Sequence, residues 1–386
     1  MPRIEAPAPR PYNRPAALSS VSLRGVPADY HPLAQAIFQN QSFLRASLSR
    51  LYPETQGRLP QNISVNYHQG KGKHLFEARC SFGGGEERSL LFIATNHRNL
   101  MHLTGSYREA CRKDTEHRFT YRWGEGTEID CQDHRYQVMA LNFLPGITLN
   151  TATETLEQIV GVPGYPYSRG RDRNLAAIPA DKLTPLLGQL VEQGILSEAE
   201  RAEILRAKAD QNTQVFSAFD QKLRGLMLQI DREAVKVQIE FWAKSGLVQH
   251  DPRRNNIIFQ VDDSGTRTYK LIDFESLYQG NLYDFIQAFD IFSEMVVSDG
   301  PFRVVSASVR PWVWTYQEDA KTRFDRSGFF EVIWNALPQE ERASGFTRAL
   351  LEAKGKKDHR VAARLHHFLV EKGILANNTS IVSSAV

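Results

Sequence analysis

The sequence predicts an α+β chain, with a β-rich N-terminal part followed by a mostly helical C-terminal part. Three observations carry this. Short apolar alternations near 63–67, 75–80 and 89–94 are separated by glycine-bearing turns. Beyond residue 179, apolar residues recur at helical spacing over long stretches. Between these helices, residues 248–275 spell an acidic loop, a strand, a polar turn and a second strand ending in an acid.

The elements follow in order. Residues 28–51 read as helical, with Leu33, Ala36, Ile37, Phe43 and Leu44 at core-facing spacing. Three strands come next: Ile63–Tyr67, then Leu75–Cys80 after the Gln69-Gly70-Lys71-Gly72-Lys73 turn, then Ser89–Ala94 after Gly83-Gly84-Gly85. A helical stretch around Tyr107-Arg108-Glu109-Ala110 precedes a strand over 136–144, which Pro145-Gly146 ends. Residues 162–173 mix Pro, Gly, Tyr and Arg too freely for regular structure. Helices are expected over 179–194, 197–226 and around 233–242, the second opening on Ser197 with acids in its first turn. The segments Leu190–Leu196 and Leu369–Leu375 are alike, and both read as a helix end capped by glycine. After Asn377 the chain is Asn/Ser-rich and expected to fray.

Composition bounds the function. The 386 residues are 41% hydrophobic and 24% charged, which is globular and long enough for two lobes. Lys+Arg number 47 against Asp+Glu 44, a net charge of +3, so neither a general nucleic-acid role nor a membrane-surface role follows. Cys80, Cys111 and Cys131 form no CxxC pair and read as reduced thiols of a cytosolic setting, not a disulfide framework or zinc site. No apolar run reaches the length of a membrane span, and no signal peptide is visible. Residues 1–25 are rich in Pro, Arg, Ala and Ser, too poor in apolar surface to offset ordering entropy, so an unstructured segment is expected there.

The chemistry concentrates at Gln249-His250-Asp251-Pro252-Arg253-Arg254-Asn255-Asn256 and Leu271-Ile272-Asp273-Phe274-Glu275. A hairpin between them, turned at Asp262-Asp263-Ser264-Gly265, aims Asp251, Asn256 and Asp273 into one small volume. Carboxylate and amide oxygens suit a hard divalent cation. A carboxylate beside it can orient or deprotonate a hydroxyl.

These motifs resemble the protein-kinase-like superfamily, whose catalytic loop reads His-x-Asp-x-x-x-x-Asn and is followed by a metal-binding Asp-Phe-Gly. The version here, Ile272-Asp273-Phe274-Glu275, is similar to the Asp-Phe-Glu of choline and ethanolamine kinases. Gly280-Asn281-Leu282-Tyr283-Asp284-Phe285 is similar to a segment of aminoglycoside-phosphotransferase-like enzymes. The resemblance implies a two-lobed fold with an N-lobe over 26–141 and a C-lobe over 142–386 that carries a helical insertion at about 151–240. It implies ATP and Mg²⁺ as cofactors, Asp251 as the catalytic aspartate and Arg253 near the transferred phosphate. Asn256 and Asp273 would be metal ligands, and Asp284 a carboxylate bracing the catalytic loop. Gly70, Lys71, Gly72 and Lys73 would sit where the phosphate-covering loop belongs, and Glu109 where helix C places its ion-pair glutamate. Backbone groups near Asn142 and Phe143 would face adenine.

Four slots depart from the family pattern, two of them Pro252 in place of an apolar residue and Arg253 in place of a lysine. Gln249 stands where the histidine belongs, and Thr95 where the third strand carries a phosphate-gripping lysine. Either Lys71, Lys73 or Arg98 supplies that charge, or the chain is a degenerate pseudokinase acting as a binding module. Nucleotidyl transfer (AMPylation) on the same fold is a further alternative. The acceptor hydroxyl would belong to a small molecule or to a protein side chain. The N-terminal composition resembles the export signals of bacterial type III effectors, so the expected location is cytoplasmic or, by that route, a host cell.

Overall fold

The computed structural model describes residues 20–70, 72–96, 103–160, 175–249, 254–262, 264–275, 277–288 and 329–376. The chain divides into two units, residues 1–108 with 121–143, and residues 109–120 with 144–386.

Six strands build the first unit: β1 (Ser20–Gly25), β2 (Asn62–Gly70), β3 (Lys73–Ser81), β4 (Glu87–Thr95), β5 (Trp123–Cys131) and β6 (His134–Asn142). They form one sheet in the order β1-β2-β3-β4-β6-β5. Gly70 pairs with Lys73, so the β2–β3 turn is two residues long, and Gly72 takes φ +71° there. Glycine adopts that left-handed backbone without strain. Gln132 and Asp133 both take positive φ, 47° and 61°, which is the turn geometry that matches strand twist in the β5–β6 hairpin.

β1 corrects an expectation. Residues 20–25 fall in the segment expected to lack structure, yet they pair parallel with β2, Ser20 opposite Asn62. Val21 and Leu23 supply the apolar contacts that make this possible, packing against the core of the unit. Residues 1–19 lie outside the described residues.

The helix expected over 28–51 is two helices, α1 (His31–Gln39) and α2 (Gln41–Leu51). Asn40 separates them, because its side chain accepts the Phe43 N–H at 3.1 Å and caps the second helix. Ile37, Phe38, Leu44 and Leu48 are fully buried against Phe76, Phe92, Val138 and Ala140 on one face of the sheet. Cys80 in this core and Cys111 in the second unit are buried free thiols, and burial pushes each up to about 12. Neither is a thiolate at neutral pH.

Helix α3 (Leu103–Lys113) leads from one unit into the other along the chain. The second unit then holds β7 (Ile147–Thr148), α4 (Leu149–Val160), α5 (Ala180–Glu192), α6 (Glu198–Ala209), α7 (Thr213–Ser245), β8 (Leu247–Gln249), β9 (Ile257–Val261), β10 (Arg267–Leu271) and β11 (Leu277–Gln279). Residues 282–288 are helical (α8), followed by α9 (Phe329–Ala336), α10 (Gln339–Gly355) and α11 (His359–Glu371). A three-stranded sheet runs β10-β9-β7, and β11 pairs with β8. This is the expected α+β organisation, β-rich first and mostly helical second. Among the described residues, no helix is long and apolar enough to cross a membrane.

Ser197 caps α6 through a reciprocal capping box with Glu200, as the sequence suggests. The expected helix over 197–226 is nevertheless broken. Gln211 takes φ +55°, and Asn212 starts a new helix by accepting the Val215 N–H. That helix, α7, then runs 33 residues to Gly246, absorbing the separate helix expected at 233–242. The twin glycine caps are as expected: Gly194 and Gly373 take φ +69° and +70°. The N–H groups of Ile195 and Ile374 return to the carbonyls of Leu190 and Leu369 at 2.8 and 2.9 Å.

One polar clamp ties α7 to β10. Glu233 accepts two parallel bonds from Arg267, both 2.8 Å, and one from the Tyr269 hydroxyl at 2.6 Å. Burial would raise its carboxyl, but the Arg267 and Tyr269 bonds outweigh this and hold it below its ordinary value. A folded-state value lowered this way stabilises the protein above the unfolded carboxylate value of about 4.3, and that stability is lost as pH falls through the folded value. Glu233→Gln should therefore lower unfolding stability by about 1 kcal/mol at neutral pH, because the clamp is partly exposed. In urea melts the gap between variant and wild type should close below about pH 4. A gap that persists in acid would show that the carboxylate charge is not what holds the clamp.

Candidate catalytic hairpin

The hairpin read from the sequence is present in the second unit. β9 and β10 pair in antiparallel register from Ile257–Leu271 to Val261–Arg267. Asp262 organises the turn by accepting the N–H groups of Ser264 and Thr266, both at 2.9 Å. At the other end the ladder continues one step, because the Ile272 N–H donates to the Asn256 carbonyl at 2.8 Å. Neighbouring strands lie about 4.8 Å apart. Asn256 and Asp273 thus leave the same end of the hairpin on adjacent strands, with Asn256 in the short 3-10 turn Arg254–Asn256.

Asp273 has φ +63°, a left-handed backbone that a short polar residue tolerates better than most. Gln249 braces it. The side-chain amide of Gln249 donates to the Ile272 carbonyl at 2.8 Å and to the Asp273 carbonyl at 3.2 Å. Gln249 is itself buried at the end of β8, and among the described residues its Oε1 has no hydrogen-bond partner. Phe274 is fully buried and its ring lies 6.0 Å from that of Phe241, which in turn lies 6.4 Å from Phe119.

A second brace comes from residues 114–120. The Asp114 carboxylate is buried and accepts the N–H groups of Arg118, Phe119 and Thr120 at 3.1, 2.7 and 2.8 Å, plus the Thr120 hydroxyl at 3.1 Å. The segment so folded presents the Phe119 carbonyl to the Leu271 N–H at 2.7 Å, two residues before Asp273. Lys270 adds bonds to the carbonyls of His117 and Arg118. Arg254, 2% exposed, is the third anchor, donating to Thr153 Oγ1 on α4 at 2.9 Å. Sequence reasoning missed Asp114 and Arg254. An acid just past a helix end that begins a chain reversal is a weak signal for Asp114, and Arg254, between Arg253 and Asn255, carries none for burial.

Beyond the hairpin, Asn281 and Asp284 cap α8 reciprocally: the Asn281 N–H donates to Asp284 Oδ2 at 3.0 Å, and Asn281 Oδ1 accepts from Asp284 at 3.2 Å. Lys356 lies 3.4 Å from Asp284. Gly280 packs so closely on β8 that a Cβ there would meet Val248 at 2.6 Å. Trp242 donates to its carbonyl at 2.9 Å. Asp284 was expected to brace the catalytic loop; among the described residues it braces the helix cap.

The remaining candidates are placed as follows. His250, Asp251, Pro252, Arg253, Lys71 and Arg98 lie outside the described residues. Glu109 takes two bonds from Arg112 on its own helix, at 2.8 and 2.7 Å, which hold its carboxyl below the ordinary value. In the first unit the Thr95 hydroxyl donates to the Gly72 carbonyl at 2.9 Å, tying the glycine turn to β4. A Cβ at Gly70 would meet Leu75 Cδ1 at 2.8 Å, so that flexible side chain would have to shift. The N–H groups of Asn142 and Phe143 donate to the carbonyls of Arg122 and Ser89, both at 3.2 Å.

No group of three His, Cys, Asp or Glu among the described residues forms a metal site. The Asn256–Asp273 pair offers instead an oxygen-only donor set of one amide and one carboxylate. That fits Mg²⁺, which keeps several waters and takes one or two carboxylates with phosphate oxygens.

The Gln249 brace makes a testable claim. Gln249→Leu keeps the volume but removes both donors, leaving two carbonyls to find other partners. Unfolding stability should fall by about 1–3 kcal/mol, and the amides of residues 272–275 should exchange with solvent faster than in wild type. Gln249→His retains a ring N–H and should recover part of the protection. Unchanged exchange in Gln249→Leu would show that the loop is held by something else.

No known family model matches the sequence, and no curated protein matches it. Among solved structures, one described as "WaaP in complex with acyl carrier protein" is similar over 77% of this chain and 88% of its own, at 10% identity and a TM-score of 0.33. Likeness at that level assigns neither an activity nor a substrate to this chain.

Proposed function

We propose that this chain is an ATP- and Mg²⁺-dependent phosphotransferase acting on a hydroxyl of a small molecule or a protein side chain. The observation that carries the reading is the end of the hairpin: Asn256 and Asp273 on adjacent strands, locked by the Ile272–Asn256 bond and by Gln249 on the Asp273 carbonyl. Few other purposes explain a left-handed aspartate braced by a buried amide beside an asparagine, in the order the kinase-like motifs prescribe.

In this reading Asn256 and Asp273 hold Mg²⁺, which when bound offsets phosphate charge. Asp251 orients the acceptor and takes its proton as the acceptor oxygen bonds to the γ-phosphorus. The bond from that phosphorus to the bridging oxygen breaks, and ADP leaves. Arg253, two residues on, neutralises charge on the phosphoryl group in transit. Positioning and charge neutralisation supply most of the rate.

A second reading, a pseudokinase serving as a binding module, draws on the other candidates. Thr95 has no charge, Glu109 is engaged by Arg112, and the Asn142 and Phe143 N–H groups are engaged within their own unit. Mass analysis of protein and acceptor after incubation with Mg·ATP separates the readings and distinguishes phosphoryl from nucleotidyl transfer by the mass gained.

Two variants sharpen the test. Asp273→Ala should abolish Mg²⁺-dependent ATP binding while leaving the fold intact, and Asp251→Ala should spare binding and remove turnover. Mg·ATP bound by Asp273→Ala as tightly as by wild type would refute the metal assignment.

A further inference from the structure

Aromatic rings close one end of the helix-facing side of the sheet in the first unit. Phe76, Phe92 and Val138 lie in the core under α1 and α2. By alternation and register, Tyr67, His74 and Tyr136 share that side, nearer the β2–β3 turn. Tyr30 lies over them from the 3-10 turn Ala28–Tyr30, which joins β1 to α1. Its ring stacks on Tyr67 at 4.6 Å and lies 4.7 Å from His74. The Tyr67 hydroxyl and His74 Nδ1 are hydrogen-bonded at 3.0 Å. The end of β1 sits beside this group, with Gly25 opposite Asn66. His31 Nε2 donates to the Val26 carbonyl at 2.8 Å and the Tyr30 N–H to the Pro27 carbonyl at 2.9 Å, which ties the turn to the end of β1.

The groups around His74 are Tyr30 from the turn, Tyr67 and Gln69 from β2, Ala94 from β4 and Tyr136 from β6, 6.0 Å away. His134 follows on β6, exposed, 6.3 Å from Tyr136. Asp29, beside Tyr30, is exposed. Burial holds His74 below the ordinary histidine value and is its one cause, so no carboxylate offsets the cost of a charge there. Burial pushes the Tyr67 and Tyr136 hydroxyls up, so both stay protonated. A histidine value lowered by folding stabilises the protein above the unfolded value of about 6.5, and that stability is lost as pH falls through the folded value.

A charged imidazole needs water, and the rings that cover it differ in how firmly they are held. Tyr67 and Tyr136 stand on β2 and β6, each paired on both sides. Tyr30 stands on a three-residue turn with no buried residue, after an edge strand with none fully buried. Lifting Tyr30 therefore costs least. We propose that His74 is an acid-sensitive latch: when it takes a proton from solvent, Tyr30 lifts, the 3-10 turn and β1 loosen, and the outer edge of β2 is uncovered. His31 does not share this role, because its Nε2–H donates to the Val26 carbonyl whether the ring is charged or neutral.

The test is amide hydrogen exchange of the full chain at about pH 7.5 and about pH 5.5, corrected for the intrinsic pH dependence of exchange. Residues 20–31 should lose protection several-fold at the lower pH while α2 keeps its own. His74→Phe keeps a ring against Tyr30 but cannot take a proton, and its residues 20–31 should be equally protected at both pH values. His74→Gln serves in its place should thermal melts show that Phe destabilises the fold. His134→Gln should behave as wild type. Equal protection of residues 20–31 at both pH values in wild type would overturn the latch. So would a loss that α2 shares, one that survives in the His74 variants, or one that vanishes in His134→Gln.

Discussion

The bond from the Ile272 N–H to the Asn256 carbonyl is the constraint on which the candidate site depends. It is the last rung of the β9–β10 ladder, and it decides which residues end up side by side. Without it, Asn256 would belong to a loose turn and Asp273 to a strand exit, with nothing to set them side by side. With it, Asn256 and Asp273 leave the same end of the hairpin, because the register of five residue pairs upstream leaves no other option. A one-residue slip would send every side chain to the other face. The chemistry of the site is therefore inherited from ordinary strand pairing.

The braces around that rung divide the labour by direction. Gln249 holds the Asp273 backbone from the β8 side, Phe119 holds Leu271 from the segment folded around Asp114, and Arg254 holds the asparagine turn against α4. Each brace uses a group that would be costly to leave unpaired. The Asp114 carboxylate is buried among three backbone N–H donors, and charged hydrogen bonds of this kind are worth about 1.5–3 kcal/mol each. Backbone at φ +63° costs about 1–3 kcal/mol and persists only where its surroundings over-determine it. Here they do.

The sequence made the hairpin legible because its signals are local: alternation, an Asp-Asp-Ser-Gly turn, and acids at fixed offsets. The glycine caps at Gly194 and Gly373 were legible for the same reason, since a single residue at positive φ decides them. The errors arose where a local signal had a rival. Asn40 and Asn212 each break an apolar period that otherwise continues, and their caps outweigh the periodicity. β1 was hidden because its few apolar residues suffice only with β2 beside them, which composition cannot report. Asp114 and Arg254 act through partners distant in the chain or through backbone they fold themselves, and no pattern in one dimension encodes that.

The departures from the kinase-like pattern behave differently in the two units, and the difference bears on whether the site has decayed. In the second unit Gln249, in place of the expected histidine, donates to the Ile272 and Asp273 carbonyls, while among the described residues its own Oε1 is buried without a partner. An unsatisfied acceptor costs stability. A site under no functional demand has no reason to keep a glutamine there instead of an apolar residue. Unlike a histidine, this brace cannot gain a proton, so it holds unchanged across the physiological range. In the first unit Thr95 is uncharged, and its hydroxyl closes the turn on the Gly72 carbonyl. The end of the hairpin keeps a braced left-handed aspartate, while Thr95 on the sheet is tied to the glycine turn.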